Sequence, residues 1–530
     1  MQARAAHSMV DSAPAAAAGG RRRLRSGVMC ALAALIFGLA YSQAPLYTSN
    51  QNQYFLHGAA RAGIGFLAED WLANTADPTP IFGWIVEWTL RLLPTAVFYL
   101  EYLLLFGVYL AGLWMLADVL FELQASTTRT LLFLCIVVLL HSAALRFVQD
   151  RLLGESWSYL WDGGVAGQRL LGPVFQPSAF GVFLLLSMGL FAKSRAGWAS
   201  ASAAVAACVH PTYLLPAAIL VLAYCLLTWN ERRSLRRPVL VGLIALAIVA
   251  PVVLYVLLVL GPTGPDNFAV AQQILVQERV PHHALPAAWL HPSVLVKLAM
   301  IILALVAAWR TRIASTLAFA AAAGLALTLV QILTGNATLA LLFPWRISTV
   351  LVPASVGLLS GWIARRATSH PRSMNRLWQR IVSIGCLAIM ILLAATGVAG
   401  FFLQCAERAA DPANAMYAFV RGHARSGEVY LIPAGLQEFR LATGAPALVD
   451  RKSIPYRDED VIEWSERMRL AGWFYRDNPG DVDCSLLNSI GEEYGVTHVV
   501  LNEPLLSLTC TQFREVYRDA HYAVEALAIP

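Results

Sequence analysis

Long apolar runs recur along the first three quarters of the chain, with short polar connections between them. Typical runs are "GVMCALAALIFGLA", "LLFLCIVVLLHSAAL", "PVLVGLIALAIVAPVVLYVLLVL", "LVKLAMIILALVAAW" and "IVSIGCLAIMILLAATGVAGFFL". A helix needs roughly 20 apolar residues to cross a hydrocarbon core, and these runs reach or approach that length. The pattern predicts a polytopic α-helical membrane protein with about eleven transmembrane helices. They fall at 27–43, 95–117, 131–146, 177–192, 196–211, 213–229, 238–260, 292–309, 313–333, 347–363 and 381–403. "PTPIFGWIVEWTLRLLP", just before the second, reads as a helix that could lie along the interface.

The pattern changes at residue 404, where charged residues become frequent and apolar runs shorten. "EVYLIPA", "PALVD", "THVVLNE" and "YAVEALAI" read as strands, and "AMYAFVRGHAR", "DEDVIEWSERMRLAGWF" and "CSLLNSIGEEYG" as helices. That alternation predicts a small α/β domain over 404–530.

Composition agrees: of 530 residues 58% are hydrophobic and only 14% charged, where soluble domains carry about 25% charged. Lys and Arg concentrate in alternate connections, "RRRLR", the loop with Arg129, "KSR", "NERRSLRR", "WRTR" and "RRATSHPRSMNRLWQR". Basic loops stay cytoplasmic, so the tail at 1–26 is expected inside. The 27–403 region then has outer loops at 44–94, 147–176, 261–291 and 334–346, and the terminal domain is extracytoplasmic. Topology thus accounts for most of the net charge of +6, and no nucleic-acid partner is expected. "RRRLR" with the apolar run ending "AYSQA" also has the look of a cleavable signal, but the long lead before it favours a retained anchor. The compact Ala- and Arg-rich chain suggests a bacterial inner-membrane protein.

Of the eight cysteines, Cys405, Cys484 and Cys510 lie outside the spans, and Cys484 and Cys510 could pair in an oxidising compartment. No P-loop, no GxGxxG opening a helix after a strand, no HExxH and no Cys/His ligand spacing occurs. The polar chemistry gathers in the outer loops. The first, "QNQYFLHGAARAGIGFLAEDWLANTADPTPIF", holds His57, Glu69, Asp70 and Asp77. The second, "DRLLGESWSYLWDGGVAGQRLLGP", holds Asp150, Glu155, Asp162, Gln168 and Arg169. His210 and Arg346 stand at outer span ends, and "PHHALPAAWLHP" adds His282, His283 and His291 without ligand spacing for a metal.

A single span, a long outer loop with the acidic pair Glu69 and Asp70 in "AEDW", further spans, a second acidic outer loop and a terminal outer α/β domain together resemble the GT-C superfamily of integral-membrane glycosyltransferases. The resemblance implies transfer of a sugar from a polyprenyl-phosphate or polyprenyl-pyrophosphate donor to a glycan, lipid or protein acceptor of the cell envelope. It implies a first-loop general base, with Asp70 the candidate and Glu69 or Asp77 its helper. Without a fixed cation nearby, such a carboxylate should titrate above its usual range. The departing lipid phosphate needs cations or donors at the membrane surface. Arg346, in "LLFPWRIS" on the side poor in basic residues, His210 in "CVHPTYLL" and Arg169 are the candidates. His57, Asp77, Asp162 and Gln168 are candidates for substrate contact. Some GT-C enzymes hold a divalent metal, Mg or Mn, through acids of the second loop, although no DxD sequence occurs there. In the terminal domain Glu438, Arg440, Asp450, Arg451, Lys452 and Tyr456 read as solvated polarity flanking a strand. A transporter or flippase of lipid-linked saccharides, or a noncatalytic envelope-assembly protein, is the alternative. Ionisable residues such as Glu87, Glu101, His141 and Lys297, few and near span ends, weigh against transport.

Overall fold

The computed structural model describes residues 29–369, 375–476, 484–502 and 510–528, so the predicted tail at 1–26 lies outside the described residues. Every apolar run there is helical. Six helices are long and apolar enough to cross a membrane: Val97–Phe121, Pro211–Arg232, Arg236–Val259, Arg312–Thr334, Ala337–Thr368 and Arg376–Ala409. Thr127–His141 and Ala143–Leu153, bent by 46°, make a seventh if the pair is one span. Met29–Tyr41, Pro177–Ala192, Ala196–Val209 and Pro292–Ala307 are shorter apolar helices. The eleven predicted segments thus divide, among the described residues, into helices of spanning length and four that are shorter. Side chains set many helix starts. Ser126, Ser142, Thr311 and Asn336 each accept from a backbone N–H three residues on, which satisfies a first-turn donor that has no partner within the helix. The Ser142 cap restarts the chain one residue after His141, and this is the site of the bend.

The predicted outer loops are built structures. The first contains helices Gln51–Tyr54 and Leu56–Arg61, two 3-10 turns, and helix Pro80–Leu92. That last helix buries Phe82, Val86 and Glu87 while Trp84, Trp88 and Leu92 are exposed, an amphipathic arrangement suited to an interface.

The last long helix runs past the predicted boundary at 403 to Ala409. Beyond it lie helices Ala413–His423, Asp458–Arg476 and Cys484–Tyr494 and a sheet of four strands. β1 (Tyr430–Leu431), β2 (His498–Leu501), β3 (Phe513–Arg518) and β4 (Ala523–Leu527) lie in the order β1-β2-β4-β3, with only the β1/β2 pair parallel. Alternation along β2 builds two cores. Val499 and Leu501 pack with Trp464, Phe474, Leu487 and Ile490, whereas Val500 joins Val524, Met416, Tyr417 and Val420. The predicted strand "PALVD" contributes only a bridge between Tyr430 and Ala447. Cys484 and Cys510 form a disulfide, and Cys405 is free.

This domain is seated on the first and third loops. Gln53 exchanges two hydrogen bonds with the backbone of Ile454 (2.9 and 2.5 Å), and Trp71 Nε1 donates to the Leu448 carbonyl (2.6 Å). Thr263 donates twice to Asp458. Gly65 and Gly444 meet backbone to backbone, both at positive φ, and the Phe66 N–H donates to the Gly444 carbonyl at 2.7 Å. A Cβ on Gly65 would stand 2.4 Å from that carbonyl oxygen. Only glycine permits this approach.

Candidate active site

The first-loop acids hold the docking seam together. Asp70 is fully buried. Its Oδ1 accepts from the N–H groups of Leu72 (2.9 Å) and Ala73 (3.2 Å), and its Oδ2 from Arg440 Nε (2.7 Å) and the Ala447 N–H (2.9 Å). Four bonds occupy the acceptor capacity of a carboxylate. Arg440, itself buried, also pairs with Asp450 and donates to the Ala447 carbonyl. The expectation of a first-loop carboxylate without a fixed cation is therefore corrected, and so is the reading of Arg440 and Asp450 as solvated polarity. Glu69 accepts from the Gly427 N–H (2.7 Å) and Ser426 Oγ (2.8 Å), and these bonds hold its carboxyl below the usual range. Asp77 accepts from the Thr79 N–H and from Arg61, which also pairs with Glu87. His57 is buried with Nε2 3.2 Å from the Thr75 carbonyl.

The second loop builds a different place. Helix Ala143–Leu153 ends at Gly154, which has positive φ, and after the 3-10 turn Glu155–Trp157 the chain folds into a buried turn in which Gly163 bridges Arg169. Lys297 Nζ donates to the Gly164 carbonyl (3.0 Å), and the Val165 N–H donates to Ser348 Oγ (2.9 Å), so the turn rests against the residues that follow Arg346. Asp162, 2% exposed, accepts one hydrogen bond among the described residues, from the Tyr41 hydroxyl at 2.8 Å, and forms no ion pair with any of them. Arg169 lies over the Tyr159 ring at 3.7 Å. Arg346, buried on the turn Pro344–Ile347, stands 4.6 Å over the Tyr213 ring with its Nε unpartnered. His210, also buried, is set edge-on between Tyr54 and Tyr213, and its Nδ1 has no partner. The Oε1 atoms of Gln168 and Gln176 and both side-chain polar atoms of Asn52 are likewise sealed from solvent without partners.

Among the described residues neither Arg346 nor Arg169 has a carboxylate partner. A buried guanidinium left so is costly. Its planar donors match phosphate oxygens, and an anion arriving there would supply the missing partners. His283 adds shape more than charge. Burial pushes it down to about 3, and its Nδ1 lies 2.8 Å from the Ala166 carbonyl. Asp150 accepts from Ser158 (3.0 Å), and Glu155 is exposed. Among the described residues no group of three or more His, Cys, Asp or Glu side chains is placed to hold a metal ion.

Sequence reasoning passed over Tyr41, Tyr54 and Arg279, and read Lys452 as solvated polarity. The argument that singled out Arg346, a basic residue on the side poor in them, applies equally to Arg279. Nothing local marks Tyr41, which lies 121 positions from Asp162.

A family described as a domain of unknown function, DUF6798, matches residues 412–471, the part of the terminal domain that contains Arg440 and Asp450. Comparison with curated proteins gives no match. Among solved structures, the crystal structure of ArnT from Cupriavidus metallidurans bound to undecaprenyl phosphate is similar at a TM-score of 0.50 and 14% identity, over 96% of this chain and 98% of that one. That likeness is one of fold: the chain has an ArnT-like membrane architecture.

Proposed function

We propose that the protein transfers a sugar from a polyprenyl-phosphate-linked donor to an envelope acceptor at the outer face of a bacterial inner membrane, with the amino terminus cytoplasmic. The observation that carries this is the pair of guanidiniums that have no carboxylate partner among the described residues, Arg346 and Arg169, the latter bridged by Gly163 next to Asp162, whose one hydrogen bond among those residues comes from a tyrosine. The similar ArnT structure, which holds undecaprenyl phosphate, supports a lipid-linked donor. In this reading Arg346, Arg169 and His210 grip the phosphate and Gln168 contacts the substrate. The acceptor oxygen forms a bond to the anomeric carbon while the bond from that carbon to the phosphate oxygen breaks. The lipid phosphate leaves with the electron pair, and its growing charge is met by fixed guanidiniums.

The acceptor proton needs a base, and that role moves from Asp70 to Asp162. Asp70 has no free acceptor site, whereas Asp162 keeps Oδ1 unbonded. Tyr41 holds the carboxylate in place. Glu69, Asp70, Asp77 and His57 then serve the reaction by fixing the first loop beneath the terminal domain.

The test incubates the purified full chain with a panel of polyprenyl-phosphate and polyprenyl-diphosphate sugars and envelope acceptors. Asp162→Asn is expected to lower turnover about 10²- to 10⁴-fold with the thermal midpoint little changed, and Arg346→Ala to raise the donor KM. Asp162→Asn with more than half the wild-type turnover would overturn the assignment of the base. Absence of transfer from every donor, together with donor-independent saccharide flux in vesicles, would overturn the transferase reading.

A further inference from the structure

The unpaired cations extend beyond Arg346 and Arg169. Arg279 closes the helical segment Ile274–Arg279 of the third loop, and through one terminal nitrogen it donates to the Lys452 carbonyl (2.7 Å). Its Nε is sealed from solvent and unpartnered. Neither Arg279 nor Lys452 has a carboxylate partner among the described residues. The acid nearest Lys452 in sequence, Asp450, is already engaged by Arg440 and by the N–H groups of Lys452 and Ser453.

Two side-chain bridges connect this pair to the first. The rings of His282 and His283 lie 4.1 Å apart. The charges of Arg279 and Lys452 bear on His282, and those of Arg346 and Arg169 on His283. Tyr54, set against His210, feels both Arg346 and Arg279. Arg169 also acts on Lys452, so the cations form one group. Burial, then Arg279, pushes Lys452 down to about 8, which leaves it mostly charged at neutral pH.

A sugar phosphodiester brings one negative charge to this group of four cations, and together with Asp162 it still leaves positive charge uncompensated in partly buried surroundings. That imbalance is costly. A sugar carried on a diphosphate brings two charges, and the lipid diphosphate that leaves carries up to three. Resting on the lipid-linked donor reading above, we propose that the donor is a polyprenyl diphosphate sugar, with Arg346 and Arg169 holding one phosphoryl group and Arg279 and Lys452 the other. The bond from the anomeric carbon to the diphosphate oxygen breaks, the lipid diphosphate departs with that electron pair, and the acceptor proton passes to Asp162.

The experiment measures binding of undecaprenyl phosphate, undecaprenyl diphosphate and UDP-glucose to the full chain in detergent. Wild type is expected to bind the lipid diphosphate at least tenfold more tightly than the lipid monophosphate. Lys452→Gln keeps the backbone carbonyl that Arg279 uses, so the junction of the two segments is retained. It is expected to weaken the lipid diphosphate at least tenfold and the monophosphate less than threefold, with the thermal midpoint as a check on folding. Arg279→Gln should follow the same split, whereas Arg346→Ala weakens both lipids. Equal binding of the two lipids by wild type, or equal weakening of both by Lys452→Gln, would overturn the diphosphate assignment. UDP-glucose bound as tightly as the lipid diphosphate would overturn the lipid source. Unchanged monophosphate binding by Arg346→Ala would instead count against the donor reading beneath this inference.

Discussion

Asp70 and Asp162 are both buried carboxylates, and their bonding separates their roles. Asp70 carries four hydrogen bonds, one of them from Arg440, while Asp162 carries one from a neutral phenol. Removing one member of a buried ion pair strands the other, at a cost of about 3–5 kcal/mol. Asp70→Ala is therefore expected to lower the thermal midpoint markedly and to expose the Gly444 region to proteolysis, an outcome that Asp162→Asn should not share. Glu69 gives a different signal. The Gly427 N–H, then the Ser426 hydroxyl, hold its folded pKa below the ordinary value. A depressed folded pKa means that the stabilisation is present above the unfolded pKa and is lost as pH falls through the folded one. Hydrogen exchange at Ser426 and Gly427, corrected for intrinsic rates, should rise as pH drops below the ordinary carboxylate range, and Glu69→Gln should abolish that dependence. The acidic pair was visible in the sequence, but its use was not. Arg440 lies 370 positions from Asp70, and Ser426 357 from Glu69, so no local pattern could report that the pair was already engaged.

Among the elements, apolar periodicity placed the helices well because each must bury its own backbone polarity in an apolar setting. It served less well where tertiary contacts decide. "FREVYR" became the edge strand β3, in which only Phe513 is buried and a bulge separates Glu515 from Tyr517. "PALVD", apolar enough for a strand, instead runs as buried chain past Arg440 and Trp71, whose donors take the Ala447 and Leu448 carbonyls. The contact of Gly65 with Gly444 shows how closely the first loop and the terminal domain are matched, and Gly63 supplies an internal control. Gly63 also has positive φ, but a Cβ there would meet nothing within 4 Å. Alanine at either position incurs about 1–2 kcal/mol of left-handed strain. Gly65→Ala adds a collision with backbone, worth about 1–3 kcal/mol more. Denaturation is expected to rank wild type above Gly63→Ala and Gly63→Ala above Gly65→Ala, and equal stability of the two variants would mean that the contact contributes nothing.

For the whole molecule, sidedness is the property on which the chemistry depends. The first and third loops each bond directly to the terminal domain, and the second loop's Ala166 carbonyl meets His283 of the third. Whichever side one occupies, all occupy. On the proposed orientation, which rests on the excess of Lys and Arg in the opposite connections, that side is outside the cytoplasm, and the disulfide between Cys484 and Cys510 offers an independent check, because such bonds persist in oxidising compartments. The bridge closes a separation of 26 residues, for which loss of chain entropy in the unfolded state corresponds to about 3 kcal/mol. Cells lysed and denatured directly in a first maleimide, then reduced and labelled with a heavier maleimide, should yield full-length protein carrying two heavy labels, and Cys484→Ser should carry none. An impermeant maleimide should reach half-buried Cys405, at the loop end of helix Arg376–Ala409, in intact spheroplasts. If Cys484 and Cys510 were instead blocked by the first reagent and Cys405 reacted only after permeabilisation, the terminal domain would be cytoplasmic. The cation group would then face the cytoplasm, and the donor would have to be met there.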